Sequence, residues 1–307
     1  SSLTKLQYLN CGSNQLTNLN VSDLTNLQTI HCYFNKLTNL DVSGLTNLQL
    51  LYCYNNRFTN LNLSGLTNLI NVNCEFNQLS NIDVSDLTSL EHLDLAWNNL
   101  TKLELNDLAK LKYFDCEDNF IIKLDISGLT NLEGFAVGDS YLEELYFKNG
   151  IKDEVSNEKF RIFYDSPIKY VCVDEVDIDV FKQMALSSDN GDYSHVIINS
   201  FCGSTINGVS YTLSGKASWD ENNNGCDISD SSYPNLKIKI TNAIDSGYLI
   251  SGSDGNFSLD LNSGTYTFQP IIENPYFSVN PESATLTLPD TISPAFCITP
   301  NGVHNDL

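Results

Sequence analysis

The sequence predicts a mainly β chain in three parts: a solenoid with one long parallel concave sheet, a small α/β cap, and an antiparallel β-sandwich. Three observations carry this reading. A 21-residue pattern recurs seven times from Leu3 onward. The pattern then stops, and a strand–helix–strand stretch follows. The remainder alternates polar and apolar residues between turn-forming Gly, Asn, Asp and Pro. The expected boundaries are 1–148 for the solenoid, 149–203 for the cap and 204–307 for the sandwich.

The repeat comes first because it decides the fold. Units begin at Leu3, Leu24, Leu45, Leu66, Leu87, Leu108 and Leu129, each close to L-T-N-L-x-x-L-x-C-x-x-N-x-L-T-N-L-x-V-S-x. The fourth position is always leucine. An asparagine recurs at Asn14, Asn35, Asn56, Asn77, Asn98 and Asn119, then becomes Ser140. One short strand per unit stacks ~4.8 Å above the last, with leucines inward in a shared core. A buried asparagine amide satisfies backbone groups that the turn leaves without ladder partners. These repeats resemble leucine-rich repeats, and the cysteine-bearing form is similar to the internalin-type, cysteine-ladder repeats of bacterial surface proteins.

The ninth position holds Cys11, Cys32, Cys53, Cys74, Leu95, Cys116 and Val137. Leu and Val stand in for Cys there, so the place is inward and apolar, and the thiols are packing groups. A straight ladder does not converge four thiolates on a zinc ion. In-register rungs also hold their Cβ atoms farther apart than a disulfide prefers.

Side chains alternate along a strand, so positions six, eight and ten face outward. They bring two candidate ligand-binding patches. One is aromatic: His31, Tyr33, Tyr52 and Tyr54. The other is acidic: Glu75, Asp94, Asp115 and Glu117, near His92 and Tyr113. These positions vary from unit to unit while the T-N elements hardly change, which points to recognition. The plainer reading is strand propensity, with Phe34, Phe76 and Trp97 at position eleven as partly buried loop anchors.

After Phe147, "FKNGIKDEVSNEKFRIFYDS" reads as polar and irregular. "SPIKYVCVDEVDIDVFKQMALSS" then reads as strand, acidic turn and helix, with Asp177 or Asp179 as N-cap. Counting from Ile168 as position four sets Cys172 at position eight, off the inward ladder and free to pair with Cys202 at the end of the next strand. Cys226 and Cys297 bracket the sandwich and are expected to pair. Two disulfides fit an oxidising, extracellular setting. "SGKASWDENNNGCDISDSSYPNLKIKITNA" and the strands after it resemble the prealbumin-like, collagen-adhesin B-type modules of bacterial surface proteins. The whole succession resembles multidomain proteins secreted by Bacteroidetes-type bacteria, which implies a secreted or cell-surface location.

"DENNNGCDISD" offers oxygen ligands at Asp220, Asn222, Asn224, Asp227 and Asp230 around Gly225, a pattern suited to calcium. The twelfth place, where a bidentate Glu is wanted, is Ser231; the alternative is an Asx-rich turn. The chain has 38 acidic against 16 basic residues, a net charge of −22. That excludes nucleic acid and anionic membrane as natural partners, and no apolar run is long enough to cross a bilayer. The four histidines, His31, His92, His195 and His304, fall in no catalytic motif. The chain opens inside a repeat without a basic–apolar export signal, and reads as a mature or truncated piece of a longer protein. An uncapped first coil leaves stacking on a second copy open. The function expected is a non-enzymatic recognition or adhesion protein binding a protein or glycan through the concave face. The alternatives are a structural spacer within a larger adhesin, or the non-catalytic part of a secreted glycan-active enzyme.

Overall fold

The computed structural model describes residues 3–151, 156, 159–188, 191–202, 210–227, 229–243, 245–289 and 293–301; His304 lies outside them. The chain divides into two compact units, 1–196 and 197–307.

The first unit is a solenoid of stacked coils with one long parallel sheet. Each coil gives one three-residue strand: β1 (Tyr8–Asn10), β2 (Thr29–His31), β3 (Leu50–Tyr52), β4 (Asn71–Asn73), β5 (His92–Asp94) and β6 (Tyr113–Asp115). β7 (Lys123–Asp125) departs from this series, and β8 (Gly134–Ala136) resumes it. The register advances by one repeat per rung, Tyr8 opposite Thr29, Thr29 opposite Leu50, and so on to Tyr113 opposite Gly134. The middle residue of each strand points inward: Ile30, Leu51, Val72, Leu93 and Phe114 are buried. So are the fourth-position leucines from Leu27 to Leu132. Each such side chain contributes roughly 1.5–3 kcal/mol through removal from water. In the first coil Leu6, Leu9, Leu16 and Leu19 are only half buried.

The thiols lie in this core. Cys32, Cys53, Cys74 and Cys116 are buried and free, as is the half-buried Cys11 free. Cys53 and Cys74 share an S–H···S hydrogen bond at 3.1 Å between sulfurs and form no disulfide. Leu95 and Val137 occupy the same inward place.

The asparagines tie coil to coil. Asn98 is typical: its Oδ1 accepts from Leu79 N of the preceding coil at 2.9 Å, and its Nδ2 donates to Cys74 O, Leu95 O and Ala96 O. Asn35, Asn56, Asn77 and Asn119 repeat this set. Ser140 keeps only a local version, donating to Val137 O and accepting from Leu142 N.

Beyond Phe147 the structure departs from the expectation of an irregular segment. β10 (Phe160–Arg161) continues the long sheet beside β8, Phe160 opposite Phe135. A second parallel ladder runs through β7, β9 (Glu144–Phe147) and β11 (Tyr170–Val173). Cys172 sits in it, opposite Tyr146 and fully buried, rather than on the long sheet. α1 (Ile178–Leu186) packs Phe181 against Phe147, ring centroids 5.9 Å apart. Asp177 holds the N-cap position, without a side-chain cap bond.

The second unit contains β12 (Ile197–Asn199) and two larger sheets. One is built from β13 (Ser210–Trp219), β14 (Ser231–Ser232), β17 (Asn256–Asn262), β19 (Phe277–Asn280) and β21 (Ala295–Pro300). The other has β15 (Lys237–Thr241), β16 (Ser246–Ile250), β18 (Gly264–Ile271) and β20 (Ala284–Leu288). Burial alternates along β15, β17 and β18, giving each sheet one apolar face. Phe257, Leu259, Phe296 and Ile298 line one, and Ile238, Ile240, Tyr266 and Phe268 the other. The arrangement is not wholly antiparallel: the first long strand and the last, β13 and β21, pair in parallel. Cys226 and Cys297 form a disulfide within this unit, Cα atoms 5.5 Å apart. Cys172 and Cys202 are both disulfide-bonded.

Candidate functional site

The outer face of the long sheet carries the variable residues of each strand. Its N-terminal half is aromatic. His31 lies edge-on to Tyr8 at 5.3 Å and to Tyr52 at 4.8 Å between ring centroids. Tyr33 and Tyr54 stack at 4.9 Å with planes 7° apart, and Phe34 meets Tyr54 at 5.4 Å. His31 with Tyr52 and Tyr33 with Tyr54 are each one 21-residue repeat apart, so the ladder register sets these pairs side by side. Gly12 makes room for the Tyr33 ring, since a Cβ there would lie 2.6 Å from it. Burial lowers the pKa of His31, so this cluster favours the neutral imidazole. Burial, then Tyr33 and Glu75, raise that of Tyr54.

The C-terminal half is a hollow of about 510 Å³ reaching from Tyr52 to Arg161. Asp94 and Asp115 are opposite one another on β5 and β6. Both are bound from the side by their own strands: Asp94 Oδ1 accepts from Ala96 N, and Asp115 Oδ1 from Glu117 N at 2.9 Å. Asn73 Nδ2 donates to Asp94 Oδ2 at 2.9 Å. His92 and Tyr113 stack at 5.0 Å, and Tyr113 donates its hydroxyl to Glu133 at 2.8 Å. Burial first, then the Asp115 charge, push Asp94 up to about 7, against the Ala96 amide. Burial raises Asp115 as well, and raises Glu75 together with Asp115's charge.

Glu117 differs from the expectation of an open ligand-facing group. It is buried, pairs through Oε2 with Arg161 at 2.9 Å, and leaves Oε1 without a partner. Its pKa still rises to about 7, because burial and Asp115 outweigh the attraction of Arg161. The structure thus brings His92, Asp94, Tyr113 and Asp115 together at one hollow, and His31, Tyr33, Tyr52 and Tyr54 at its neighbour. Lys159 and Arg161 complete the hollow, and sequence reasoning passed over them. Lys159 precedes the two-residue β10 and Arg161 is its second residue, a strand too short to show a period; the apolar alternation in "KFRIF" was the available signal.

Phe34, Phe76 and Trp97 are exposed at the margin of the sheet.

In the loop from Asp220, several side-chain oxygens accept from the loop's own backbone. Asp220 accepts from Asn224 N and Gly225 N at 3.1 and 2.9 Å, and Asn222 Oδ1 also accepts from Asn224 N. Asp230 accepts from Asp227 N, and Asp227 from Ser229. Asp220, Asp227 and Asp230 thus cap turns of this loop.

Comparison with known proteins bears on the repeat. A leucine-rich repeat family model matches residues 89–111. No curated protein matches the chain. Among solved structures, the chain is similar to a leucine-rich repeat protein of Leptospira interrogans, with 23% identity over 62% of this chain and 55% of that one, TM-score 0.47. It is also similar to the functional domain of InlJ from Listeria monocytogenes, which includes a cysteine ladder: 19% identity, 97% of this chain, 81% of that one, TM-score 0.35. The leucine-rich effector YopM of Yersinia pestis matches at 23% identity over 57% of this chain and 50% of that one, TM-score 0.44. The chain spans about half the length of the Leptospira and Yersinia proteins.

Proposed function

We propose that the chain is a non-enzymatic recognition module of a secreted or surface-attached protein, binding a partner on the long-sheet face. One observation carries this reading: the inward places stay apolar apart from the Asn/Ser rung, while the outward places converge on an aromatic cluster beside an acidic hollow. Tyrosines present flat apolar area and a hydroxyl at low entropic cost. The hollow's carboxylates favour a partner that brings Lys or Arg side chains, whose charge would return Asp94 toward its ordinary pKa. A protein ligand fits this mixture better than a glycan. The disulfide-bonded Cys172, Cys202, Cys226 and Cys297 support an oxidising, extracytoplasmic compartment, and the sandwich serves as spacer.

A screen of immobilised extracellular protein domains and glycans tests this, with wild type beside Tyr33→Ala/Tyr52→Ala/Tyr54→Ala. Saturable binding by wild type that the triple variant loses is the expected result. A hit that survives the triple variant, or silence from folded wild type, favours the spacer reading.

A further inference from the structure

The flank beside the long sheet carries a second, independent constellation. Position eleven of each regular coil is held in the left-handed backbone region, with φ between 47° and 56°. Ser13, Asn55, Asp118 and Asp139 are small or Asx residues, which tolerate it. Phe34, Phe76 and Trp97 are not. Bulky side chains are disfavoured there, and burial does not compensate: these three are 51%, 41% and 48% exposed. An aromatic residue that is both disfavoured in backbone and left in water contributes little to folding. Its use lies elsewhere.

Phe76 and Trp97 stack across adjacent coils, centroids 4.9 Å apart and planes within 17°. They form one flat apolar platform two rungs wide. Asn55 and Asp118 bound it at the same position on either side, so the platform is short. Beside it lies a hollow of about 500 Å³, rimmed by Asn55, Arg57, Gln78, Asn99 and Asp118, with Phe120 at one end. Among the described residues, the side chains of Asn55, Arg57, Gln78 and Asn99 make no hydrogen bond or ion pair within the protein. Each amide offers two donors and an acceptor to an incoming ligand.

We propose that this flank is a binding site for a neutral oligosaccharide. The C–H face of a pyranose ring lies on the Phe76–Trp97 platform. Its hydroxyl or acetamido groups exchange hydrogen bonds with Asn55, Gln78 and Asn99, and Arg57 donates at the rim. Hydroxyls are donor and acceptor at once, and amides answer both. A polyanionic ligand is disfavoured by a chain of net charge −22. A protein partner needs ~800 Å² of its surface covered, more than a two-ring platform bounded by Asn55 and Asp118 supplies. The site holds one or two sugar rings and does not depend on the long-sheet face.

The chain has two tryptophans, Trp97 and Trp219. A Trp219→Phe background leaves Trp97 as sole reporter, at the site itself. Its emission is followed while chitotetraose, cellotetraose and mannotetraose are added to about 10 mM, a range that includes weak millimolar binding. The expected result is a saturable change with at least one sugar. Phe76→Ala weakens it at least tenfold while retaining the reporter. The exposed pair Gln78→Ala/Asn99→Ala weakens it likewise, and serves if Phe76→Ala does not fold. Tyr33→Ala/Tyr52→Ala/Tyr54→Ala binds the sugar as wild type does, which separates this site from the long-sheet face. No saturable change with any of the three sugars overturns the proposal. So does a change that Phe76→Ala and the amide pair leave intact. Concentration-dependent self-association abolished by Trp97→Ala, without a sugar response, overturns it in favour of a contact between copies.

Discussion

Replacing Asn98 by alanine tests the claim that the asparagine ladder holds the coils in register. Asn98 is buried and makes four hydrogen bonds. Their loss is uneven. Cys74 O still receives Asn77 Nδ2, Leu95 O still receives Asn119 Nδ2, and Ala96 O still receives Phe76 N. Among the described residues Leu79 N has only Asn98 Oδ1 as its partner, and it sits in a fully buried residue. An orphaned buried N–H costs about 1–3 kcal/mol, and each lost amide donation adds about 0.5 kcal/mol. The sum is roughly 3 kcal/mol, which for a unit the size of 1–196 corresponds to a drop of roughly 6–12 °C in Tm. Asn14→Ala is the control. Asn14 is exposed in the first coil and donates only to Cys11 O and Gly12 O of its own turn, so its loss falls within about 0.5 kcal/mol. Thermal unfolding of the solenoid by circular dichroism reads both. Equal shifts for the two variants would refute the ladder argument, because local turn bonding would then account for everything the asparagine does.

Other expectations follow from the same geometry. Asp94 and Glu117 are both raised to about 7, so the folded state holds their protons more tightly than the unfolded chain does. Stability therefore falls as pH climbs from about 4 to about 7 and is lower above that. Denaturant midpoints at about pH 5.5 should exceed those at about pH 8, and Asp94→Asn should shrink the difference; an unchanged difference contradicts the assignment. With DTNB, native protein should expose Cys11 alone among the five free thiols, because Cys32, Cys53, Cys74 and Cys116 are buried. Rapid labelling of the buried four would mean that the ladder opens. Calcium or a chelator should leave the melting of the second unit unchanged if turn capping is all that Asp220 does. A calcium-dependent rise abolished by Asp220→Asn would reverse that reading. Gly255 has φ +73°, and a Cβ there would lie 2.3 Å from Ala217 O. Gly255→Ala should destabilise the sandwich by about 2 kcal/mol or more, read from its denaturant transition; a neutral effect contradicts the close approach.

The solenoid was legible because its signal is local and repeated. Leucine at the fourth position, asparagine at the twelfth and Leu or Val in place of Cys at the ninth each mark an inward place without reference to distant residues. The aromatic cluster was legible for the same reason: a fixed 21-residue step sets Tyr33 over Tyr54 and His31 beside Tyr52. What failed depended on pairing between coils of unequal length. β10 is two residues long, and its Arg161 closes over Glu117, so a position that alternation marks as open is buried. The ladder through β7, β9 and β11 is set by which coils stack, not by the composition of any one strand. In the sandwich, strand patterns were readable, yet the parallel pairing of β13 with β21 joins the two ends of the unit and leaves no local trace. At position eleven the pattern shows the aromatic residues but not their backbone, whose left-handed φ is visible only in the structure.

The central claim is that the long-sheet face receives the partner. Oxidative footprinting of the complex with whichever partner the screen captures tests it directly. Tyr33, Tyr52 and Tyr54 are labelled in free protein, since all three are partly exposed. The account expects their labelling to fall on binding, along with Tyr113 at the acidic hollow, while Tyr211 and Tyr248 of the sandwich are unchanged. Protection of the sandwich tyrosines with the long-sheet tyrosines still labelled would contradict it.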